Sequence, residues 1–339
     1  MGKIIRIGTR ESQLAVWQAT QVKTLLAQFD FDAELVYIKS EGDLDLKTPL
    51  YEMGVQGVFT RSLDIALLND KIDLAVHSMK DVPTQSAKGI VQAAVLKRGS
   101  YKDVFVPHPD LSDVHTIFGR GVIEEKNISV TTSGSKKEEQ AHTDYINTGE
   151  PVNAVIATSS IRRKAQWLNR YPHHKVETLR GNVNTRLHKL KESNWHGAIF
   201  AAAGLERIDL LPKNSIELDW MLPAPAQGAI MVVCRDADDH CLDACSNFND
   251  AGTALCTKIE RDFLKILLGG CSTPISALAE IVEDKIHLKG NILSPDGKQI
   301  AGFNAIEPVM MADDLGVRAA EGLLKNGGQS IADSIRYAG

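Results

Sequence analysis

The chain has 339 residues, enough for two or three compact domains that each bury a core. Hydrophobic residues make up 43% and charged residues 24%, and a formal net charge of -5 excludes a general polyanion binder. No apolar run approaches the roughly 18 residues that a membrane span needs, and the opening MGKIIRIGTRESQLAVW carries no stretch of leader length, so a cytoplasmic protein is expected.

The first strand is expected over Lys3–Ile7. A loop, Gly8-Thr9-Arg10-Glu11, leads into a helix from Ser12 to Gln28, with Leu14, Trp17, Gln21 and Leu25 at near-helical spacing. Ala33–Ile38 reads as a second strand. A glycine-containing loop, Gly54 to Val58, feeds a helix from about Phe59 to Leu68, and the strand Ile72–His77 ends in Ser78-Met79-Lys80-Asp81. The layout then recurs: Val155–Ala157 runs into Thr158-Ser159-Ser160 and a helix with Arg162 and Arg163. Lys175–Thr178 runs into Leu179-Arg180-Gly181-Asn182 and a helix with Arg186, and Ala198–Ala203 runs into Gly204-Leu205-Glu206-Arg207. Apolar runs alternating with helical patterns predict parallel α/β architecture through about residue 235.

Between these halves, Ser133 to Gly149 is polar and aperiodic, and reads as a long surface loop. After about Asp250 the pattern becomes that of a small α+β domain. A helix from Thr253 to Leu267 precedes strands at Ala277–Val282 and Ile286–Ile292, a Ser294-Pro295-Asp296-Gly297 turn, a further strand, and a helix from about Asp313 to Leu324. Composition shifts place boundaries near Val106, at Leu222–Gln227 and near Phe248–Ala251.

In open parallel sheets, ligands sit beyond the carboxyl ends of the strands, where free helix N–H groups favour anions. Those ends here deliver Arg10, Ser12, Lys80, Thr158, Ser159, Ser160, Arg162, Arg163, Arg180, Arg186 and Arg207. Any one arginine is an ordinary solvated helix face and a lone serine an ordinary helix cap. Together they form a device for several carboxylates or phosphates, because guanidinium binds both in a planar fork. Asp81 is the exception: a carboxylate in a cationic cleft suits a developing positive charge or a proton transfer, and equally a structural lysine partner.

Five cysteines, Cys234, Cys241, Cys245, Cys256 and Cys271, make an odd number with no C-x-x-C pair, so neither a disulfide framework nor a zinc ribbon is indicated. His240, Cys241 and Cys245 lack a fourth ligand, and no metal is expected. Cys271 stands apart, after two glycines in LLGGCSTPI where a helical pattern stops. Buried thiols are commonly inert, but glycines leave room for a bulky group beside a thiolate nucleophile.

IGTRESQLAVWQA, AVHSMKDVPT, ATSSIRRKAQ, LRGNVNTRL, AAAGLERI, PAPAQGA and LLGGCSTPI, in this order over nearly the whole chain, resemble the hydroxymethylbilane synthase (porphobilinogen deaminase) family. The resemblance implies two periplasmic-binding-protein-like (type II) α/β domains around a central cleft, plus a small C-terminal α+β domain. Implied bounds are 1–105 with 228–247 for a discontinuous first domain, 106–227 for the second with an insertion at about 133–149, and 248–339 for the third.

It further implies that Cys271 carries a dipyrromethane cofactor through a thioether. Four porphobilinogen molecules, each losing ammonia, are then added head to tail, and hydrolysis releases linear hydroxymethylbilane. By the motifs, Asp81 is the catalytic carboxylate. Arg10, Ser12, Lys80, Ser159, Ser160, Arg162, Arg163, Arg180, Arg186 and Arg207 hold acetate and propionate groups, with Thr158 and Gly181 beside them; Phe59 stacks near a pyrrole, and Gln227 lies in the crossover between domains. A monomer is implied. Two departures stand out: Glu52 and Gln56 fall where relatives commonly have lysines, and the region between Val106 and Ala157 is long. A non-catalytic anion-binding protein on the same scaffold is the alternative, needing neither Cys271 nor Asp81. A nucleic-acid module is disfavoured by the acidic charge and by 6% aromatics.

Overall fold

The computed structural model describes residues 3–39, 60–111, 113–118, 121–132, 137–147, 153–267 and 273–337. Phe59, Cys271, Glu52 and Gln56 lie outside the described residues.

In chain order the first half contains β1 (Ile5–Thr9), α1 (Gln13–Gln28), β2 (Ala33–Tyr37), α2 (Arg61–Leu68), β3 (Leu74–Ser78), β4 (Ile90–Val95), β5 (Asp103–Pro107), α3 (His115–Phe118), β6 (Gly121–Thr132) and β7 (Lys137–Asn147). Then come β8 (Val155–Ala157), α4 (Ile161–Arg170), β9 (Lys175–Glu177), α5 (Val183–Lys191), β10 (Gly197–Ala201), α6 (Ala202–Glu206), β11 (Ile216–Glu217), β12 (Ile230–Arg235) and α7 (Asp239–Ser246). The chain closes with α8 (Ala251–Leu267), β13 (Ile275–Val282), β14 (Lys285–Leu293), β15 (Ile300–Pro308), α9 (Leu315–Leu323) and α10 (Gln329–Tyr337).

Among the described residues these strands form three five-stranded sheets. The first runs β2-β1-β3-β12-β4 and the second β9-β8-β10-β5-β11, the same order repeated. In each, three strands are parallel and one crossing strand is antiparallel to its neighbours: β12 against β3 and β4, β5 against β10 and β11. The parallel pairing expected from the alternation of runs is present in both sheets, with one antiparallel strand added to each. The chain crosses from the first sheet to the second at β5 and returns at β12, and each of these crossing strands runs opposite to the strands it joins. Apolar alternation reports burial and carries no direction.

The central parallel strand β3 is buried on both faces, which is why it reads as a nearly continuous apolar run, Leu-Ala-Val, before His77. Gly228 opens the return to the first sheet at φ 88°, and a Cβ there would lie 2.6 Å from Ser100 O; only glycine fits this crossing. In the second unit, Trp167 of α4 is fully buried and stacks on Phe105 of β5 at 5.8 Å. In the third, Ile259, Phe263 and Leu267 of α8 pack against Ile275, Ala277, Ile286, Leu288 and Ile292.

The third sheet runs β13-β14-β15-β6-β7. Its last two strands correct the expectation of a long loop over Ser133 to Gly149. Residues 137–147 form β7, paired antiparallel to β6 from Gly121↔Asn147 to Thr131↔Lys137, and β6 pairs in parallel with β15 at Gly302↔Val130 to Asn304↔Thr132. The ladder satisfies this segment's backbone groups whatever its side chains, so an aperiodic sequence hid the hairpin.

The Ser294–Gly297 turn forms as expected, with Gly297 at φ 74°, and Asn169 Nδ2 of α4 donates to Gly297 O at 2.7 Å. α7 and α10 were not anticipated.

Candidate functional site

The two crossing sheets bring the ends of β1, β3 and β10 and the loop after β9 to one cleft of about 230 Å³. Arg10 and Ser12 reach it from the loop after β1, Lys80 and Asp81 from the turn after β3, Arg163 from α4, Arg180 and Gly181 from the β9–α5 connection, and Arg186 from α5. Five cations line it with Asp81 as its one carboxylate, counted among the described residues.

Local chemistry explains each placement. Ser12 caps α1, its Oγ accepting from Ala15 N at 3.4 Å, so the loop from β1 turns at the cleft rim. Met79 is buried, anchoring a short 3₁₀ turn, Met79–Asp81, that carries Lys80 and Asp81. Lys80 Nζ donates to Gln227 Oε1 at 3.3 Å. Gly181 adopts φ 116°, a left-handed conformation that suits glycine, and Asn182 then caps α5 by accepting from Thr185 N at 2.9 Å. Arg186 Nε donates back to Gly181 O at 2.7 Å, which fixes its guanidinium base.

The electrostatics favour an anionic guest. Burial, together with Arg163 and Arg180, pulls Arg186 down to about 10 against the opposing pull of Asp81. Lys80 is held at about 8 by burial and by Arg163 and Arg162, with Asp81 and Asp103 acting the other way. His77, in β3 below the cleft, is pushed to about 4 by burial and by Arg10, so it stays neutral at physiological pH. A carboxylate guest would relieve this crowding of like charge.

Several expected site residues make contacts within the protein. Thr158 Oγ1 accepts from Ser160 N at 3.3 Å, Ser159 Oγ donates to Leu179 O, and Ser160 caps α4 by accepting from Arg163 N at 3.4 Å. Arg162 is buried away from the cleft lining, with Nη1 donating to Leu222 O at 2.6 Å and Nη2 paired with Asp103 at 2.7 Å. Arg207 donates to Gly228 O at 2.6 Å and lies over the Trp17 ring at 5.6 Å, lining a separate hollow at the crossing. Gln227 is buried at that crossing, with Nε2 donating to Tyr101 O and to Asp103 Oδ1, both at 2.8 Å.

Sequence reasoning missed Asp103, the carboxylate beneath Arg163, and missed Gln18, His77 and Asn182 at the cleft. An acid opening a buried strand, Asp103-Val-Phe-Val, was the available signal for Asp103.

The cleft thus suits a flexible ligand with several carboxylates and one group that wants a carboxylate in return. The donor set fits dipyrromethane, whose rings carry acetate and propionate groups and pyrrole N–H donors. Fold and cleft together define a two-lobed α/β enzyme acting on a polycarboxylate.

Comparison with known proteins narrows this. Residues 5–243 match the porphobilinogen deaminase dipyromethane cofactor binding domain, and residues 254–325 the porphobilinogen deaminase C-terminal domain. Porphobilinogen deaminase of Trichlorobacter lovleyi is 37% identical over 337 residues, covering 98% of this chain and 97% of the relative. That of Syntrophotalea carbinolica is 35% identical, covering 98% and 96%, and the chloroplastic enzyme of Oryza sativa subsp. japonica 35%, covering 98% and 87%. A solved methionine binding protein, MetQ, aligns at 10% identity and a TM-score of 0.39 over 74% of this chain and 92% of its own, too loose to carry an argument.

The chain belongs to the porphobilinogen deaminase family. It is a transferase of tetrapyrrole synthesis, a hydroxymethylbilane synthase with a dipyrromethane cofactor.

Proposed function

We propose that the Asp81 cleft is where porphobilinogen is deaminated and joined, with Asp81 as the catalytic carboxylate. The observation that carries this is that, among the described residues, one carboxylate lies with five cations in the cleft at converging strand ends. Arg10, Lys80, Arg163, Arg180 and Arg186 hold acetate and propionate groups, and Ser12 and Gly181 shape the rim. Asp81 accepts from pyrrole N–H groups and stabilises the positive charge that develops as ammonia leaves the aminomethyl carbon. Water around that charge is replaced by fixed groups, so little reorganisation accompanies the step. Dipyrromethane, when bound, supplies the pyrrole terminus that each new unit extends.

Cys271 is the attachment point in this proposal. It lies in the segment between α8, which ends at Leu267, and β13, which begins at Ile275. Phe59 stacks near a pyrrole, while Thr158, Ser159, Ser160, Arg162, Arg207 and Gln227 support the cleft from behind. The proposed domains are 1–105 with 228–247, 106–227 and 248–339, except that 121–147 pair with the third sheet. A monomeric cytoplasmic protein is proposed. No helix among the described residues is long and apolar enough to cross a membrane. The non-catalytic anion-binding alternative is not favoured, since the family match runs through both the lobes and the C-terminal region.

The test is the intact mass of the purified protein beside Cys271→Ser, each before and after exposure to porphobilinogen. An excess of two porphobilinogen-derived units that needs Cys271 is expected. A Cys271 protein that carries no excess either before or after exposure would remove the attachment point.

A further inference from the structure

Asp103 opens β5 with its side chain fully buried, and it does not line the cleft. Its Oδ1 accepts from Arg163 Nε at 3.0 Å and Nη2 at 2.8 Å, and from Gln227 Nε2 at 2.8 Å. Its Oδ2 lies 2.7 Å from Arg162 Nη2. Gln227 in turn accepts at Oε1 from Lys80 Nζ at 3.3 Å and from Arg162 Nη2 at 3.5 Å. One carboxylate therefore organises α4, the crossover before β12 and, through the Gln227 amide, the turn that carries Asp81.

Two of the groups so tied, Arg163 and Lys80, line the cleft. A buried ion pair needs one cation per carboxylate, whereas Asp103 serves two arginines and an amide that holds a lysine. The surplus positive charge faces the cleft. We propose that Asp103 is a positioning residue of the active site, fixing Arg163 directly and Lys80 through Gln227 so that both meet substrate carboxylates already in place. This rests on the reading of the cleft as the porphobilinogen site. Such fixed donors bind without reorganising, and they lose affinity when the group behind them is removed.

The charged groups facing Lys80 are Arg162 and Arg163 from α4, Asp103 from β5 and Asp81 from its own turn. Among these described groups, the two carboxylates favour its charged form. Neutralising Asp103 should therefore let Lys80 lose its proton at lower pH, and carboxylate binding should weaken from that pH upward.

The experiment uses holoenzyme of the native sequence, Asp103→Asn, Gln227→Leu and, as reference, Lys80→Met. Circular dichroism checks that each is folded. Asp103→Asn should raise KM for porphobilinogen about tenfold while kcat changes less than about threefold, because Arg163 and Lys80 lose their positioning partner while the turn that carries Asp81 keeps its buried Met79 anchor. The rise of KM with pH should begin about one unit lower than in the native enzyme, and the Lys80 signal in carbon-13 lysine NMR should titrate lower by the same amount. A structural role alone would reduce the amount of active enzyme and leave both pH readouts unmoved. Should Asp103→Asn fail to fold, Gln227→Leu decides: it removes the amide between Lys80 and Asp103, with that amide's bonds to Tyr101 and Arg162, leaves the Asp103–Arg163 pair in place, and should still shift the limb. Unchanged KM and pH dependence in a folded variant, with KM raised in Lys80→Met, would overturn the positioning role alone. Unchanged KM in Lys80→Met would overturn the reading of the cleft beneath it.

Discussion

Glu260→Ala should be among the most damaging single changes in the chain, although it touches no cleft residue. Glu260 sits on α8 with no exposed side-chain surface. Its carboxylate accepts from Arg98 Nη1 at 2.6 Å and Nη2 at 3.1 Å, from Ala226 N at 2.6 Å and from Ala279 N at 2.8 Å. It therefore joins the strand leaving the first sheet, the crossover that returns to it, and the third sheet. Alanine would leave a mostly buried guanidinium without its counter-charge, at about 3–5 kcal/mol. Two backbone N–H groups would lose their acceptor as well, at about 1–3 kcal/mol each, so the total should lie at or above the top of the first range. The exposed Lys298–Asp296 pair supplies the control: replacing Lys298 by alanine should cost no more than about 1 kcal/mol. Equilibrium urea unfolding, followed by circular dichroism and tryptophan fluorescence, measures both. A loss below about 1 kcal/mol for Glu260→Ala would show that water or a rearranged Arg98 restores what the carboxylate provides, and the account of the junction would fail.

Asp81→Ala should leave the fold intact and lower turnover by roughly 10²–10³-fold or more, and near-native activity would remove Asp81 from the mechanism. Asp73 is fully buried; burial raises its pKa, but bonds from Arg6, Arg235 and Lys3 outweigh this and hold it well below the usual carboxylate range. A depressed carboxylate stabilises the fold above its unfolded pKa of about 3.9 and loses that contribution as pH falls toward the folded value. The stability gap between the native protein and Asp73→Asn should thus shrink between pH 7 and pH 3 in urea unfolding, and a constant gap would refute the linkage. Cys234, Cys241, Cys245 and Cys256 are buried, with burial pushing every thiol upward, to about 11 for Cys234 and Cys256 and about 12 for Cys245. Iodoacetamide at about pH 8 should leave all four unmodified in the native fold, as peptide mass mapping would show, so any alkylation should fall on Cys271.

Local sequence determined the elements with regular periodicity and the residues at strand ends. Arg10, Lys80, Asp81, Arg180 and Arg186 were legible because a buried strand followed by a loop and a helix start fixes where those side chains emerge, whatever the rest of the chain does. The seven ordered motifs identified the family for the same reason, since each lies within one such junction. Tertiary structure alone decided which charges remain available to a ligand. Arg162, Arg163 and Arg186 look alike as letters, yet Arg162 pairs with Asp103 and Leu222, Arg163 is shared between Asp103 and the cleft, and Arg186 is held at its base by a backbone carbonyl and lines the cleft near Asp81. Asp103 lies about 60 positions from Arg162 and Arg163, with |i−j| of 60 for Arg163. The direction of β12 and the hairpin at residues 121–147 were hidden likewise, because both are set by backbone pairing between distant segments. Helical and strand periodicity records which face of an element is buried. Which distant partner it is buried against, and whether a charge is left over, is a property of the assembled chain.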